Sequence, residues 1–314
     1  MVVAARYVFG VLSGDPFVPS DPVVTTSTTE SRDWRPLAAA LVSICLWSSA
    51  FVGIRAATRT ISPGALALGR LLIGCILLGV LLLHRGARRP TWRELGLLCI
   101  AGPLWFAFYN VALNTAERVV DAGTAAMVVN IAPLMIMALA AVFLGERLTS
   151  RLLAGGAVAF VGVIVIGVAT MSGHAPLTGV VLCVLATAAS AAAVVAQKPV
   201  LRRLSALQVT WTCCAIGAIC CLGYVPALLR DLRAAPPVDL AWMAYLGVFP
   251  TSVAFTTWAY ALARGTASRL ATTAYLVPPV TIGMSWMILG EIPKVLAILG
   301  GVLCLVGVVL ARRR

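Results

Sequence analysis

Residues 133–146 read PLMIMALAAVFLGE, and residues 278–291 read PPVTIGMSWMILGE. In both stretches a proline precedes an apolar run that ends in Leu-Gly-Glu, and the two copies lie 145 residues apart. These four matched residues and three pairs of glycines further on make seven matches at one offset, which indicates an internal repeat. Isolated glycines in apolar helices would not keep one spacing by chance. The same offset also pairs downstream glycines: Gly155 with Gly300, Gly156 with Gly301, and Gly162 with Gly307.

The composition around these stretches excludes an ordinary soluble protein. Of the 314 residues, 61% are hydrophobic and 11% are charged, whereas soluble domains contain about 45–50% apolar residues and about 25% charged ones. The mean hydropathy is +0.99. The nine cysteines lie in or beside apolar runs without a CxxC pair or a Cys/His cluster, so neither a metal site, a disulfide framework nor a cofactor is expected. The chain is expected to be an integral membrane protein.

Ten stretches are apolar over the roughly 20 residues that a helix needs to cross a bilayer. The unit between repeats therefore holds five spans, and an odd number requires the second copy to be inserted upside down. Inverted repeats are typical of secondary transporters. We expect a disordered cytoplasmic tail over 1–35, a first repeat over 36–173 and a second over 174–314. The predicted spans are 36–56, 63–84, 93–114, 121–143, 150–170, 177–198, 206–228, 239–262, 268–289 and 293–311.

The distribution of basic residues predicts the orientation. The formal charge of +13 comes from short Lys/Arg clusters between apolar runs, which indicates loop topology and argues against a nucleic-acid partner. If the N-terminus is inside, 17 basic residues fall on the inner side and 6 on the outer, and Arg70 within a span completes the 24. Both termini are therefore expected in the cytoplasm, as an even number of spans requires.

Several local motifs resemble those of one family, the EamA-like family of the drug/metabolite transporter superfamily. They comprise Trp47-Ser48-Ser49-Ala50-Phe51, Pro63 followed by Arg70, Ala112-Leu113, and the two proline-to-Leu-Gly-Glu stretches. The resemblance implies a ten-helix, five-plus-five transporter in the bacterial inner membrane that exports amino acids or other small metabolites. Two features depart from the family pattern. Ile292 stands where the first copy has Arg147, and the stretch 114–121 is longer than the pattern by about four residues.

Charged groups inside the spans are few. Arg70 lies about 12 Å inside span 2, where an arginine costs about 2.5–3.5 kcal/mol. It either neutralises a substrate carboxylate or bonds to backbone carbonyls freed by a proline, and the sequence leaves both open. No Asp or Glu lies deep in a span, so proton coupling through a midplane carboxylate is not expected. The alternatives are a facilitator without coupling, or coupling through edge groups such as Glu117 or Asp121. Glu146 and Glu291 are interpreted as structural acids beside the following helix.

The paired prolines predict the position of a binding site. Pro133 and Pro278 each leave a carbonyl without its helical partner, which is tolerated only beside protein or water. Paired helix breaks of this kind mark the substrate site in inverted-repeat carriers. Asn130 and Tyr275, each three residues before its proline, are therefore candidate substrate ligands. The alternative is a packing kink alone.

Aromatic and polar side chains of three further spans complete the predicted site. A cavity for amphipathic metabolites needs aromatic walls and a few hydroxyls or amides. The candidates are Trp47 and Ser48 in span 1, Tyr109 and Asn110 in span 3, and Trp258 in span 8.

Other classes of protein fit less well. A membrane-embedded enzyme would need an acid/base pair, a nucleophile or a metal cluster in the bilayer, and a pump would need a nucleotide site; none is recognisable. The partners expected are a small-molecule substrate and lipid. A lipophilic-drug carrier and a carrier of phosphorylated metabolites remain as alternatives, and the oligomeric state is open.

Overall fold

The computed structural model describes residues 34–119, 125, 128–170, 177–289 and 295–312, and all regular structure in them is helical. We number the helices in chain order. They are α1 Arg35–Ala57, α2 Pro63–Arg85, α3 Trp92–Ala116, α4 Ala132–Leu144, α5 Ser150–Thr170, α6 Leu177–Val200, α7 Ala206–Cys220, α8 Val225–Ala234, α9 Pro237–Arg264, α10 Ala267–Thr273, α11 Val277–Leu289 and α12 Val295–Arg312.

Within the described ranges, six helices are long and apolar enough to cross a membrane: α1, α2, α3, α5, α6 and α9. The bent pair of α7 and α8 would make a seventh, and α4 and α12 are shorter apolar helices. Of the sequence predictions, nearly all of the tail 1–35 and part of the span 121–143 lie outside the described residues. The multi-pass membrane character predicted from composition agrees with these helices.

The predicted span 206–228 is divided in two. α7 ends at Cys220, a short 3₁₀ turn follows at Leu222–Tyr224, and the next segment is bent by 53°. Pro226 lies in the first turn of α8, where its missing N–H leaves no unsatisfied donor. The later residues of α8 include Arg230, Asp231 and Arg233, so this helix suits a surface position better than the bilayer interior.

α5 and α12 cross at four glycines. A Cβ atom on Gly155 would lie 2.6 Å from the carbonyl oxygen of Gly307, and one on Gly162 would lie 2.6 Å from that of Gly300. The two helices run antiparallel, because the earlier glycine of α5 meets the later glycine of α12. The repeat offset equates Gly155 with Gly300 and Gly162 with Gly307, so equivalent residues exchange partners across the crossing. Such a self-complementary contact is characteristic of two-fold symmetry.

Two spans contain a π-helical segment at equivalent positions. The segments are Gly102–Tyr109 in α3 and Gly247–Ala254 in α9, and the repeat offset relates their first residues and also their last. The wider turns change which backbone groups the side chains reach. In α9, the hydroxyls of Thr251 and Ser252 donate to carbonyls five residues earlier, at 2.8 and 2.9 Å.

One end of the bundle is closed by contacts between the two halves. We call it the basic end, and it comprises the loops 86–91, 145–149, 201–205 and 265–266. Gly145 ends α4 in the left-handed conformation, at φ 65°. The Glu146 carboxylate then accepts hydrogen bonds from the Ala267 and Ser268 amides at 2.7 and 2.9 Å, and from the Ser268 hydroxyl at 2.6 Å. The Lys198 ammonium donates to two carbonyls nearby, those of Leu262 and Gly265.

Glu146 therefore caps a different helix from the one that the sequence indicated. We expected it beside the N-terminus of the following helix, α5, but its partners begin α10 in the other half of the chain. The start of α5 is capped by Thr149, whose hydroxyl accepts from the Leu152 amide at 3.2 Å. Glu291, its counterpart in the second copy, lies outside the described residues.

Replacing Glu146 with glutamine should lower the thermal stability of the purified protein. A neutral amide keeps one acceptor oxygen for three donors, and the loss of a charged cap costs about 1–2 kcal/mol. For a chain of this size that corresponds to a fall in Tm of about 2–8 °C. Differential scanning fluorimetry in detergent measures it. Arg147→Gln, at the exposed neighbouring position, is the control and should leave Tm unchanged; equal shifts in both variants would contradict the capping role.

Candidate functional site

An open cavity with an empty volume of about 870 Å³, part of which is solvent at its mouth, lies between helices of both halves. It is mostly apolar and includes a small number of polar side chains. Most of the substrate-binding and helix-break residues predicted from the sequence line it: Trp47, Arg70, Tyr109, Asn110, Asn130, Pro133 and Trp258. The structure thus brings together residues from five separate spans of the sequence.

Three predicted residues do not line the cavity. The Ser48 hydroxyl donates to the carbonyls of Ile44 at 2.8 Å and Val277 at 3.2 Å, so it joins α1 to α11. Tyr275 is 0% exposed and packs in a separate apolar cluster beside Phe160, at 6.4 Å between ring centroids. Pro278 lies in the first turn of α11, outside the lining. These positions correct the expectation that the side chains of Ser48 and Tyr275 face the substrate cavity.

The sequence predicted the wrong orientation for the Tyr275 side chain, because the chain turns tightly before Pro278. Residues Ala274–Leu276 form a 3₁₀ turn between α10 and α11. Ala274 and Val277, three residues apart, face the cavity, and Tyr275 consequently faces away from it. The helix break is therefore beside the site, but its small residues, and not its tyrosine, provide the wall.

Arg70 is the buried cation of the cavity. It is 3% exposed, and its Nε donates to the Thr251 hydroxyl at 2.8 Å. Thr251 in turn donates to the Leu246 carbonyl within the π-helical segment of α9, which fixes the hydroxyl as an acceptor for Arg70. Among the described residues, no hydrogen bond engages the two terminal guanidinium nitrogens. Those nitrogens form the planar fork that binds a carboxylate with two parallel bonds.

The side-chain nitrogen of Asn110 is bonded to the backbone of its own helix. Its Nδ2 donates to the carbonyls of Trp105 at 3.0 Å and Phe106 at 2.9 Å, which the π-helical segment of α3 leaves available. Carbonyls only accept, so these two bonds fix the orientation of the amide. Asn110 can therefore offer a ligand its Oδ1 acceptor, and no donor.

Aromatic rings form the apolar wall of the cavity. The Trp47 ring lies 5.0 Å from that of Trp258, 5.5 Å from Phe255 and 6.0 Å from Trp105, between centroids. Trp105 and Phe255 were not selected from the sequence. Phe255 precedes Trp258 by three residues and so shares its helix face, which was an available signal. Trp105 lies in a π-helical segment, where the usual helical spacing does not apply.

No cofactor site is apparent in the part of the chain that the structure describes. No group of three or more His, Cys, Asp or Glu side chains there could hold a metal ion. What the arrangement can do is bind: a guanidinium fork for an anion, one amide oxygen for a donor group, and aromatic faces for an apolar moiety.

Comparisons with known proteins give one matching family model, relatives named as transporters and a solved structure of the same fold. The model of the EamA-like transporter family matches residues 34–168 and again residues 177–313. A probable terminal-alkyne amino-acid exporter of Streptantibioticus cattleyicolor is 38% identical over 277 residues, which cover 88% of this chain and 93% of that protein. An uncharacterized transporter of Bacillus subtilis, YdfC, is 31% identical over 84% of this chain and 87% of its own length. One solved crystal structure shares the fold at a TM-score of 0.72 and 22% identity, covering 90% of this chain and 97% of that one.

Proposed function

Because the chain belongs to the EamA-like transporter family, we propose that it is a secondary carrier that exports amino acids or similar small metabolites across the plasma membrane by alternating access. The observation that carries the substrate class is the Arg70 fork, which is buried in an aromatic cavity and makes no hydrogen bond through its terminal nitrogens to the described residues. A zwitterion with an apolar side chain matches these groups. The name of the Streptantibioticus relative, an amino-acid exporter, agrees with this choice.

The alternative substrate is a lipophilic drug or another toxic compound. The aromatic wall would suit it, but a cationic drug would be repelled by Arg70. An uncharged drug without an acceptor group would leave the terminal guanidinium nitrogens without a hydrogen-bond partner. Burying such a charge unpaired is costly. An amino-acid substrate therefore accounts for more of the cavity. Its transport requires no chemical step, so we assign no enzymatic activity.

We also propose ten spans in two inverted repeats. The family model matches the chain twice. The antiparallel glycine crossing and the two π-helical segments repeat at the same offset as the sequence motif. With the basic end in the cytoplasm, 17 Lys and Arg residues fall inside and 6 outside, which supports cytoplasmic termini.

The substrate class is tested by efflux from proteoliposomes loaded with labelled compounds. One arm holds apolar amino acids, a second holds the matching amines without the carboxylate, and a third holds a lipophilic cation. We expect the first to leave at least about tenfold faster than the second, in the range of a lost hydrogen-bonded charge pair. Efflux of the cation with retention of the amino acids would favour the drug carrier instead.

Trp47→Ala should change which amino acids are carried. Removing the indole enlarges the cavity beside Phe255 and Trp258. Amino acids with bulky side chains should therefore be transported faster relative to amino acids with small ones. We expect the ratio of initial efflux rates, tryptophan over valine, to rise about tenfold or more. Trp47→Phe, which keeps an aromatic ring, is the matched control and should change the ratio less. An unchanged ratio in Trp47→Ala would remove Trp47 from the substrate site.

A further inference from the structure

A buried carboxylate that has no hydrogen-bond partner among the described residues lies at the end of the bundle opposite the basic end. Glu117 directly follows the last residue of α3 and is 8% exposed. Both of its carboxylate oxygens are buried and accept no hydrogen bond from the described residues. The adjacent Arg118 does not serve it, because its guanidinium donates to the carbonyls of Thr58 at 3.3 Å and Ile61 at 3.2 Å.

A second orphaned acceptor lies one helical turn earlier. The Nδ2 of Asn114 donates to the Pro63 carbonyl at 3.1 Å, which fixes the orientation of the amide. Its Oδ1 is buried and has no partner among the described residues. Side chains three residues apart on a helix are neighbours. Asn114 and Glu117 therefore bring together three buried oxygen acceptors to which the described residues supply no donor, an arrangement that is unfavourable until a cation or proton joins it.

The groups around Glu117 do not neutralise it. Those that interact with it electrostatically are Arg55 of α1, Arg70 of α2, Tyr109 of α3 and Cys183 of α6. Burial raises the pKa of Glu117 to about 8, and the two arginines oppose this effect without cancelling it. The carboxyl group thus exchanges its proton close to physiological pH.

We propose that Glu117 and Asn114 form a proton-binding site of the carrier. When Glu117 takes up a proton from solution, its new O–H group becomes the missing donor and can bond to the Asn114 Oδ1. A metal cation is a poorer occupant, since hard cations require more oxygen ligands than these three and two guanidinium groups repel them. α3 also carries Tyr109 and Asn110 of the cavity, so the site and the cavity share one helix.

Proton binding should be linked to substrate binding through Arg70. A substrate carboxylate on Arg70, which this step takes from the proposed function, neutralises one of the two arginines that favour ionised Glu117. The proton affinity of Glu117 then rises, and by reciprocity a proton on Glu117 strengthens carboxylate binding. The carrier should therefore take up protons when it binds an amino acid.

The stability of the empty carrier tests the site without any substrate. A group whose pKa is higher in the folded state contributes stability that is complete below its unfolded pKa and is lost as the pH rises through the folded one. The wild type should therefore lose thermal stability as the pH rises from about 5 to about 8, and its stability should level off above pH 8. The thermal stability of Glu117→Gln, whose amide can donate to Asn114, should change less with pH over this window. Asp239→Asn is the control, because that carboxylate already accepts from the Thr60 hydroxyl at 2.6 Å, and it should keep the wild-type slope.

Infrared difference spectra between pH 6 and pH 9.5 provide a second readout that does not depend on thermal stability. We expect loss of a protonated-carboxyl C=O band as the pH rises, and absence of that loss in Glu117→Gln. Equal pH slopes in the two proteins, or no such band in the wild type, would overturn the proposal. Stabilisation by sodium over choline salts without a pH slope would assign the site to a metal cation and overturn it too.

Proton uptake on adding an amino acid to weakly buffered carrier tests the link to transport. We expect uptake near pH 8 in the wild type, and in Glu117→Gln binding without uptake. Binding without uptake in the wild type would refute the link. An absence of binding would count against the proposed substrate class and leave the stability and infrared results to decide the proton site.

Discussion

Replacing Arg70 with glutamine should weaken the binding of an amino-acid substrate about 100-fold or more, equivalent to roughly 3 kcal/mol. The reason is that the cavity contains this one cation among its described lining residues, with its fork turned to no protein acceptor. A glutamine offers one neutral donor group in place of two charged parallel bonds. Isothermal titration calorimetry on detergent-purified protein measures the change.

Three comparisons separate recognition from structure. Arg70→Lys keeps the charge but loses the fork and the Nε bond to Thr251, so it should recover only a small part of the affinity. The matching amine, which lacks the carboxylate and is a cation, should bind Arg70→Gln at least as tightly as it binds the wild type. Arg70 would be structural if Arg70→Gln weakened binding of the amine as much as binding of the amino acid. It would also be structural if the fall in Tm showed enough unfolding to account for the lost affinity.

Placing an alanine at Gly162 should cause a large loss of stability for the addition of a single methyl group. The new Cβ would lie 2.6 Å from the Gly300 oxygen and 2.7 Å from the Cys304 amide nitrogen, both of them backbone atoms that cannot rotate away. α5 and α12 would have to separate, at a cost of at least about 1–3 kcal/mol. The fraction of monodisperse protein after purification and the Tm measure it.

Gly96→Ala is the matched control for this change. Gly96 also lies in a spanning helix, but a Cβ there would meet no atom within 4 Å. Alanine is the better helix former, so Gly96→Ala should leave the stability unchanged or raise it by up to about 1 kcal/mol. Similar losses in Gly162→Ala and Gly96→Ala would mean that the crossing is not a tight contact.

The sequence indicated the glycine crossing but not its geometry. The offset of the repeat identified Gly162 and Gly307 as equivalent, because equivalent backbone positions need the same residue. It could not indicate that Gly162 meets Gly300 and not its own equivalent, since partner exchange depends on how the two halves pack. Glu146 shows the same limit: its motif predicted a helix end, while the helix that it caps is 121 residues away.

The candidate site was predictable where single side chains decide it. Trp47 and Arg70 were recognisable as unusual residue types deep in apolar spans, and Trp258 as an aromatic residue near the inner end of span 8. All three line the cavity. The π-helical segments were not recognisable, and they determine the role of Thr251 as the partner of Arg70 and commit the amide nitrogen of Asn110. Such segments are rare, and a single local sequence does not reveal them.

The glycine crossing also constrains how the chain can be synthesised. Gly162 of α5 is translated long before its partner Gly300 of α12, because most of the second half of the chain lies between them. At about 5–20 residues per second, roughly 7–28 s separate the two glycines. Throughout that time lipid must cover a bare strip of backbone on α5. A nascent chain that stops before α12 retains this strip permanently, because no other described helix makes this glycine contact with α5.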